Sequence, residues 1–177
     1  MFWAVSSPPP LRPLPTGHIL RQVRVDEKQA YEELFNLAWP QRGVFEDNFD
    51  CALDGGLFAV EHLDSGLLVS SCAAFKPGVW KSHSETGSLG WLVTDPSHGR
   101  QGLATVVVAA VMNRLALEGY ETVYLSTEDE RATAIHIYLK LGWRPLIYTD
   151  GMEERRQRIY DALGVPADGK SLQVLFA

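Results

Sequence analysis

Apolar and polar residues alternate over residues 18–25 (HILRQVRV), a pattern typical of a strand with one buried face. The spacing becomes helical over residues 26–39, and Pro40 ends that helix. Residues 43–54 predict a second, short helix. The regular structure is therefore expected to begin with a strand followed by two helices.

A hairpin is predicted next. Residues 57–62 and 67–75 are apolar runs of strand length, and the segment 64–66 (DSG) between them has turn composition. The Gly-Gly pair at 55–56 predicts a turn before the first of these strands. A polar loop over 76–87 then leads to the next strand.

The central segment has a strand–helix–strand pattern. Residues 88–94 predict a strand, which an Asp-Pro pair stops. Residues 103–117 carry apolar residues on most sides, including three consecutive valines, which are poor helix formers. Because the segment is too long for one strand, we predict a helix that is buried on most sides and ends at Gly119. A strand over 121–126 follows.

The last third alternates again between helix and strand. Residues 127–130 (TEDE) fit a capping box and predict a helix to Leu141. The strand predicted over 143–149 contains Pro145, so it lies at a sheet edge or begins late. The remaining predicted elements are a helix over 152–163 and a strand over 171–176.

This element order predicts the fold class. The strands come in a consecutive run before a β-α-β-α part, which indicates a mixed α/β sheet, antiparallel first and with a parallel pair later. Residues 1–17 contain five prolines and predict an extended Pro-rich arm, lying on the surface or serving as a docking peptide. Residues 18–177 are predicted to form a single domain.

Composition narrows the class of protein. The 177 residues are 46% hydrophobic and 21% charged, as in an ordinary globular domain. The net charge of −6 comes without a basic stripe, so no nucleic acid is expected as a partner. No apolar stretch approaches the ~20 residues that span a bilayer, so no membrane association is expected. Cys51 and Cys72 form no metal-binding or disulfide pattern, which favours a cytoplasmic protein without a metal.

The strongest chemical signal is the sequence DPSHGRQGLA between a strand and a helix. Gly99 and Gly102 allow a tight turn, and the amides that open the helix have no intrahelical acceptors, so they can bind a pyrophosphate. Arg100 can add a charged hydrogen bond. Two alternatives are an ordinary glycine-containing connection and a dinucleotide site with Glu128 on the ribose. The dinucleotide fingerprint lacks its first glycine here.

Residues 88–143 resemble the GNAT superfamily of acyl-CoA-dependent N-acetyltransferases. The loop GRQGLA matches that family's Gln/Arg-x-x-Gly-x-Gly/Ala motif, and the later helix matches a second motif. The matching positions of the second motif are Arg131, Ala134, Ile135, Tyr138, Lys140, Gly142 and Trp143. Two positions depart from the family: Gly99 replaces the usual Gln or Arg, and Arg131 replaces a frequent Asn. The resemblance implies a mostly antiparallel twisted sheet flanked by helices, whose central parallel strands splay around acyl-CoA.

The resemblance also implies a site. Acetyl-CoA would be the co-substrate, and its pantetheine amides would pair with the backbone of residues 91–93 as an added strand would. The implied cofactor-binding residues are Trp91, Leu92, Val93, Gly99, Arg100, Gln101, Gly102, Leu103, Ala104, Arg131, Ala134 and Tyr138. Tyr138 would protonate or hydrogen-bond the departing sulfur. A phenol is the weaker acid, so full proton transfer is uphill by about 2 kcal/mol. The base is left open between Glu128, Glu85, His83 and a water chain.

The acceptor implied by the resemblance is a small-molecule or peptide amine. Aromatic and acidic residues of the N-terminal half are candidates for its binding site: Trp39, Phe45, Phe49, Trp80, Glu46, Asp47 and Asp50. Two other functions stay open at this point. A protein of the same fold can bind acyl-CoA without catalysing transfer, and a dinucleotide-binding oxidoreductase is the third hypothesis. An exposed strand or the Pro-rich arm could support a homodimer.

Overall fold

The computed structural model describes residues 1–5, 7–40, 45–79, 86–166 and 172–173. They form eight strands and five α-helices. The strands are β1 (Phe2–Ala4), β2 (His18–Gln22), β3 (Ala52–His62), β4 (Leu67–Phe75), β5 (Ser88–Thr94), β6 (Thr122–Tyr124), β7 (Leu146–Ile147) and β8 (Leu172–Gln173). The helices are α1 (Lys28–Asn36), α2 (Phe45–Cys51), α3 (Leu103–Leu117), α4 (Ala132–Lys140) and α5 (Met152–Leu163).

Six strands make one sheet in the order β1-β6-β5-β4-β3-β2. All neighbours in it are antiparallel except β5 and β6, which are parallel. β7 and β8 form a separate parallel pair. The predicted mixed α/β sheet, antiparallel first and with one central parallel pair, is confirmed.

Helices cover both faces of this sheet. Successive side chains of a strand point to opposite faces, and those of β4 alternate between two hydrophobic clusters. Ala73 and Phe75 join the cluster beneath α1 and α2. Cys72 and Ala74 join the cluster beneath α3 and α4. We call these two sides the α1/α2 face and the α3/α4 face. Any side chain in the sheet can therefore be assigned to one of two separate environments.

Helix α3 is buried on nearly all sides, as its composition predicts, because the N-terminal segment crosses over it. The amide of Asn113 donates to the carbonyl of Pro9 at 2.8 Å. Leu14 packs against Leu103 at the start of the helix. The Pro-rich segment therefore lies on the surface and connects strands at opposite edges of the sheet.

The first residues differ from the prediction of a simple arm. Phe2–Ala4 pair with β6, and Trp3 is 4% exposed within the main core. The prolines begin only at Pro8, so they leave room for a three-residue strand ahead of them. The sheet therefore recruits a segment that the sequence analysis placed outside the domain.

Two local predictions are wrong. The Gly-Gly pair at 55–56 lies inside β3, where the register with β4 is irregular and Gly55 has φ +64°. The capping box at 127–130 does not form: α4 begins at Ala132, and its N-cap Arg131 has no side-chain cap. Thr127 and Glu130, the capping pair of that box, therefore lie before the helix, and Glu128 forms an ion pair with Arg131.

Other boundaries agree more closely. β5, α3 and α5 span the predicted residues, and β7 begins after Pro145. Both cysteines are free thiols. Within the part of the chain that the structure describes, no helix is long and apolar enough to cross a membrane.

Candidate active site

A cleft opens in the sheet between β5 and β6. The two strands meet at one pair, Ser88 and Tyr124, and share no further ladder among the described residues. Ser88 is the first residue of β5 and Tyr124 the last of β6, so the strands separate beyond this pair, toward the C-terminal end of β5. In the described part of the sheet, the backbone of β5 beyond Ser88 therefore has no strand partner on the β6 side, which is the arrangement that an extended ligand can complete.

A bulge in β5 shapes one wall of this cleft. The register with β4 shifts between Ser71 and Ala73, and Trp91 opposite has φ +54°, a left-handed conformation that is rare for a bulky residue. The Trp91 indole packs on the α1/α2 face, whereas Leu92 contacts the α3/α4 face. The cleft wall therefore presents side chains to both faces of the sheet.

The loop after β5 ends in a helix N-terminus with free amides. Gly102 caps α3 at φ +80°, and Arg100 before it has φ +61°. The first helical hydrogen bond runs from the Val106 amide to the Gly102 carbonyl, so the earlier amides have no intrahelical acceptor. Arg100 and Gln101 are exposed. This end of α3 can bind an anion through its amides and the helix dipole.

Tyr138 stands on α4, on the α3/α4 face. It is 5% exposed, and its ring packs 6.1 Å from that of Trp143. Burial raises the pKa of the Tyr138 phenol above its ordinary value, so the hydroxyl stays protonated. No described residue forms a hydrogen bond with this hydroxyl. Ala134, one turn earlier, is half-buried against the same cluster.

The α1/α2 face has its own buried tyrosine. The Tyr31 hydroxyl accepts a hydrogen bond from the Asn48 amide at 3.1 Å, and burial raises the pKa of the Tyr31 phenol too.

Cys72 lies in β4 with no exposure and donates its thiol hydrogen to the Gly90 carbonyl at 3.4 Å. Burial raises the pKa of the Cys72 thiol, which makes it a poor nucleophile.

Aromatic rings gather where the α1/α2 face meets the cleft. The Trp39 ring lies 5.0 Å from that of Trp91 and 4.7 Å from that of Phe35. The Arg131 guanidinium carbon lies 4.6 Å from the centroid of Trp39. Its Nε is 2.5 Å from the Glu128 carboxylate. Trp39 and Arg131 lie far apart in the sequence, and no spacing between them indicates that they touch.

The structure brings most predicted site residues to one region. β5, the loop over 99–104 and the start of α4 all lie at the end of the sheet where β5 and β6 diverge. Glu85, His83 and Trp80 lie outside the described residues. Phe45 is buried in the core beneath α1, and Glu46 forms an ion pair with Lys28, so neither borders the cleft.

Three histidines pack together where β2 begins, β3 ends and the loop after β5 turns toward α3. The ring of His98 lies 5.7 Å from that of His18 and 4.9 Å from that of His62. His98 therefore contacts other rings rather than facing solvent alone. Even so, no three His, Cys, Asp or Glu side chains among the described residues are grouped to hold a metal ion.

A cavity of about 550 Å³ lies on the other side of β6. Ile135, Pro145, Met152 and Tyr160 contribute to its walls, and Arg155 lies at it with its ion-pair partner Asp129. No predicted site residue lines this cavity. The predicted site is therefore the cleft and not this cavity.

Comparisons with known proteins agree with this geometry. Residues 75–152 match the family model described as FR47-like protein. A GCN5-related N-acetyltransferase from Sphaerobacter thermophilus superposes with a TM-score of 0.60 and 16% identity. The match covers 80% of this chain and 47% of that protein, so this chain spans about half of it.

Two further solved structures are similar. An acetyltransferase from Trypanosoma brucei has a TM-score of 0.55 and 23% identity, covering 72% of this chain and 93% of its own. The protein yncA from Salmonella typhimurium, described as an acetyltransferase with its cofactor acetyl-CoA, has a TM-score of 0.59 and 18% identity. That match covers 72% of this chain and 79% of yncA. No curated protein matches the chain. The predicted resemblance is thus confirmed: the chain has the fold of the GCN5-related N-acetyltransferases, and its residues 75–152 match the FR47-like family.

Proposed function

We propose that this protein transfers an acetyl group from acetyl-CoA to a primary amine. The observation that carries the proposal is the divergence of β5 and β6 after a single pair, which leaves the edge of β5 open next to the free amides of α3. The fold and the FR47-like match support the same activity.

Acetyl-CoA offers partners to the edge of β5 that faces β6 and to the amides at the start of α3. Its pantetheine amides would pair with the backbone of Trp91, Leu92 and Val93 along the open edge. Its pyrophosphate would bind the amides of Gln101–Ala104, with Arg100 supplying a charged contact, since the Gly99 amide already donates to the Pro96 carbonyl. Ala134 on α4 offers a small side chain facing the same cleft.

The transfer requires no covalent enzyme intermediate. The amine nitrogen attacks the thioester carbonyl, a C–N bond forms, and the C–S bond breaks as the thiolate leaves. Tyr138 would donate a hydrogen bond to that sulfur. Because burial raises the pKa of the phenol, giving the proton up completely is costlier than for an exposed tyrosine. Hydrogen bonding in the transition state is therefore the role that we assign to Tyr138.

The acceptor ammonium must lose a proton before it attacks. Glu128 is the side-chain candidate that the structure describes, but its carboxylate is 66% exposed and already engaged by Arg131. We therefore propose that water, rather than Glu128, accepts the proton that the ammonium loses. Glu85 and His83, which lie outside the described residues, are the other candidates for the base.

The proposal is tested in two stages. Thermal unfolding is first compared with and without acetyl-CoA, coenzyme A and NAD; we expect stabilisation by the two coenzyme A compounds. Stabilisation by NAD alone would refute the proposal. Thiol release from acetyl-CoA is then measured with a panel of amines, peptides and aminoglycosides. Binding of coenzyme A without thiol release for any acceptor would favour the non-catalytic alternative.

A further inference from the structure

A cation–aromatic contact spans the two faces of the molecule at the open end of the cleft. Arg131 immediately precedes α4, on the α3/α4 face, whereas Trp39 follows α1 on the α1/α2 face. Their 4.6 Å contact therefore crosses the region where β5 and β6 diverge. An acceptor that approaches the thioester from the α1/α2 face must pass this contact.

The aromatic partner is held in place. Trp39 packs edge-to-face against Trp91 at 84°, and its ring is tilted by 31° from that of Phe35. Phe35 is fully buried. The Trp39 ring is thus positioned by the core, and one of its faces is presented to a positive charge.

The cation is held less firmly. The Arg131 side chain is 35% exposed, and the Glu128 carboxylate that it pairs with is 66% exposed. Exposed ion pairs contribute little to the free energy of folding, since water competes for both partners. A ligand cation can therefore replace Arg131 on Trp39 and Glu128 without breaking a buried interaction.

We propose that the Trp39 ring and the Glu128 carboxylate bind a cationic group of the acceptor, and that Arg131 occupies this place until the acceptor displaces it. The inference rests on the proposed acetyl transfer. The reacting amine must be uncharged, so the group bound here is a second cation. The acceptor class is then a primary amine that carries another ammonium or guanidinium group, as polyamines do. The net charge of −6 favours such molecules.

The test is a calorimetric titration of spermidine at 0.15 M salt, with butylamine as a singly charged probe. Wild type, Arg131→Gln and the double variant Arg131→Gln/Trp39→Leu are compared, each with and without coenzyme A. Arg155→Gln is the matched control: it removes the same charge from an ion pair with Asp129 but does not contact Trp39. Thermal unfolding of each variant checks that it folds.

We expect Arg131→Gln to bind spermidine about three- to thirtyfold more tightly than wild type, because the internal competitor is gone. The double variant should bind spermidine no more tightly than wild type. Arg155→Gln should show no gain in spermidine affinity, and Arg131→Gln should show no gain in butylamine affinity. Equal or weaker binding of spermidine by Arg131→Gln would overturn the inference. An equal gain for Arg155→Gln would do the same. The titration without coenzyme A measures spermidine binding at the cation site independently of coenzyme A. If coenzyme A fails to bind, that result counts against the proposed acetyl transfer and not against the cation site.

Discussion

The two halves of the sheet use their polar groups in opposite ways. In the closed half, which we define as β2, β3 and β4 with α1 and α2, the ladder between β3 and β4 runs from Ala52 to His62. In the open half, defined as β5, β6, α4 and the start of α3, the two strands share one pair. The closed half thus pairs most of its strand edges within the sheet, whereas among the described residues the β6-facing edge of β5 has no strand partner beyond Ser88.

Two buried tyrosines differ in the same way, because one hydroxyl has a hydrogen-bond partner in the core and the other has none among the described residues. Tyr31 over the closed half finds its partner in Asn48 within the core, whereas no described residue pairs with the Tyr138 hydroxyl over the open half. That leaves the Tyr138 hydroxyl available to a ligand, whereas the Tyr31 hydroxyl is already engaged. Changes in the closed half should therefore alter stability, and changes in the open half should alter binding or turnover.

The largest effect is expected at Tyr138. We expect Tyr138→Phe to lower kcat ten- to a thousandfold, about 1.4–4 kcal/mol of transition-state stabilisation, with the KM for acetyl-CoA nearly unchanged. Tyr31→Phe is the matched control: it should cost about 1–3 kcal/mol of stability by leaving Asn48 unpaired while kcat stays within about twofold. Steady-state thiol release and urea unfolding give both numbers. A normal kcat for Tyr138→Phe would remove this residue from the mechanism.

The next effect concerns the N-terminus of α3. Gly102 has φ +80° and Gly119, at the other end of the helix, has φ +78°; a Cβ on either meets nothing within 4 Å. Alanine at either position should cost about 1–2 kcal/mol in backbone strain. Only Gly102→Ala should also weaken coenzyme A binding, by about five- to thirtyfold, because relief of the strain moves the amides. Equal affinities of the two variants, measured by calorimetry, would contradict the assigned phosphate site.

A smaller effect is expected in the closed half, at the edge of β2. Glu27 accepts hydrogen bonds from the Arg21 guanidinium and from the Arg24 amide, and the Arg21 bond is the main reason that the pKa of Glu27 is lowered. A lowered pKa contributes stability above the ordinary carboxyl range and loses it as the pH falls below about 4.5.

Glu27→Gln should accordingly cost about 1 kcal/mol at pH 7 and less at pH 3.5, with kcat unchanged. Glu46→Gln, which breaks an exposed pair with Lys28, is the control and should change nothing measurable. Urea unfolding at both pH values is the measurement. A loss in stability that is the same at both pH values would mean that the carboxylate charge is not responsible.

The smallest effect is expected at Glu128. If water accepts the ammonium proton, Glu128→Gln should keep kcat at saturating acceptor within about fivefold, and the pH–rate profile should keep its shape. A hundredfold loss of kcat with a shifted acidic limb would instead make Glu128 the base. That result would add a catalytic side chain to the open half beside Tyr138.

Local patterns in the sequence were sufficient for much of the fold. The bounds of β5, α3 and α5 follow from periodicity and from turn residues at their ends, which are short-range signals. β1 was missed because three residues ahead of a proline run carry too little pattern to indicate a strand. The capping box was predicted too early in the sequence: α4 begins at Ala132, so Thr127 and Glu130 do not occupy its N-cap and N3 positions.

The candidate site was predictable only in part. The loop motif predicted an anion-binding helix start, and α3 does begin at Gly102 with free amides. The bulge at Trp91 depends on how β5 registers with β4, and the Trp39–Arg131 contact joins a residue after α1 to one before α4. Such long-range arrangements leave no trace in residue spacing, since neither partner lies near the other in the sequence.

The position of β1 has a consequence for how the chain folds during synthesis. β1 pairs with β6 at residues 122–124, so the earliest residues of the sheet must wait for a strand made much later. Until then β1 has no strand to pair with, and Trp3 lacks the part of its hydrophobic cluster that Val123, Leu125 and Trp143 supply. Contacts between such distant residues slow folding. We therefore expect closure of this edge to be the last step of sheet assembly, and nascent chains that end before residue 122 to expose Trp3 to solvent.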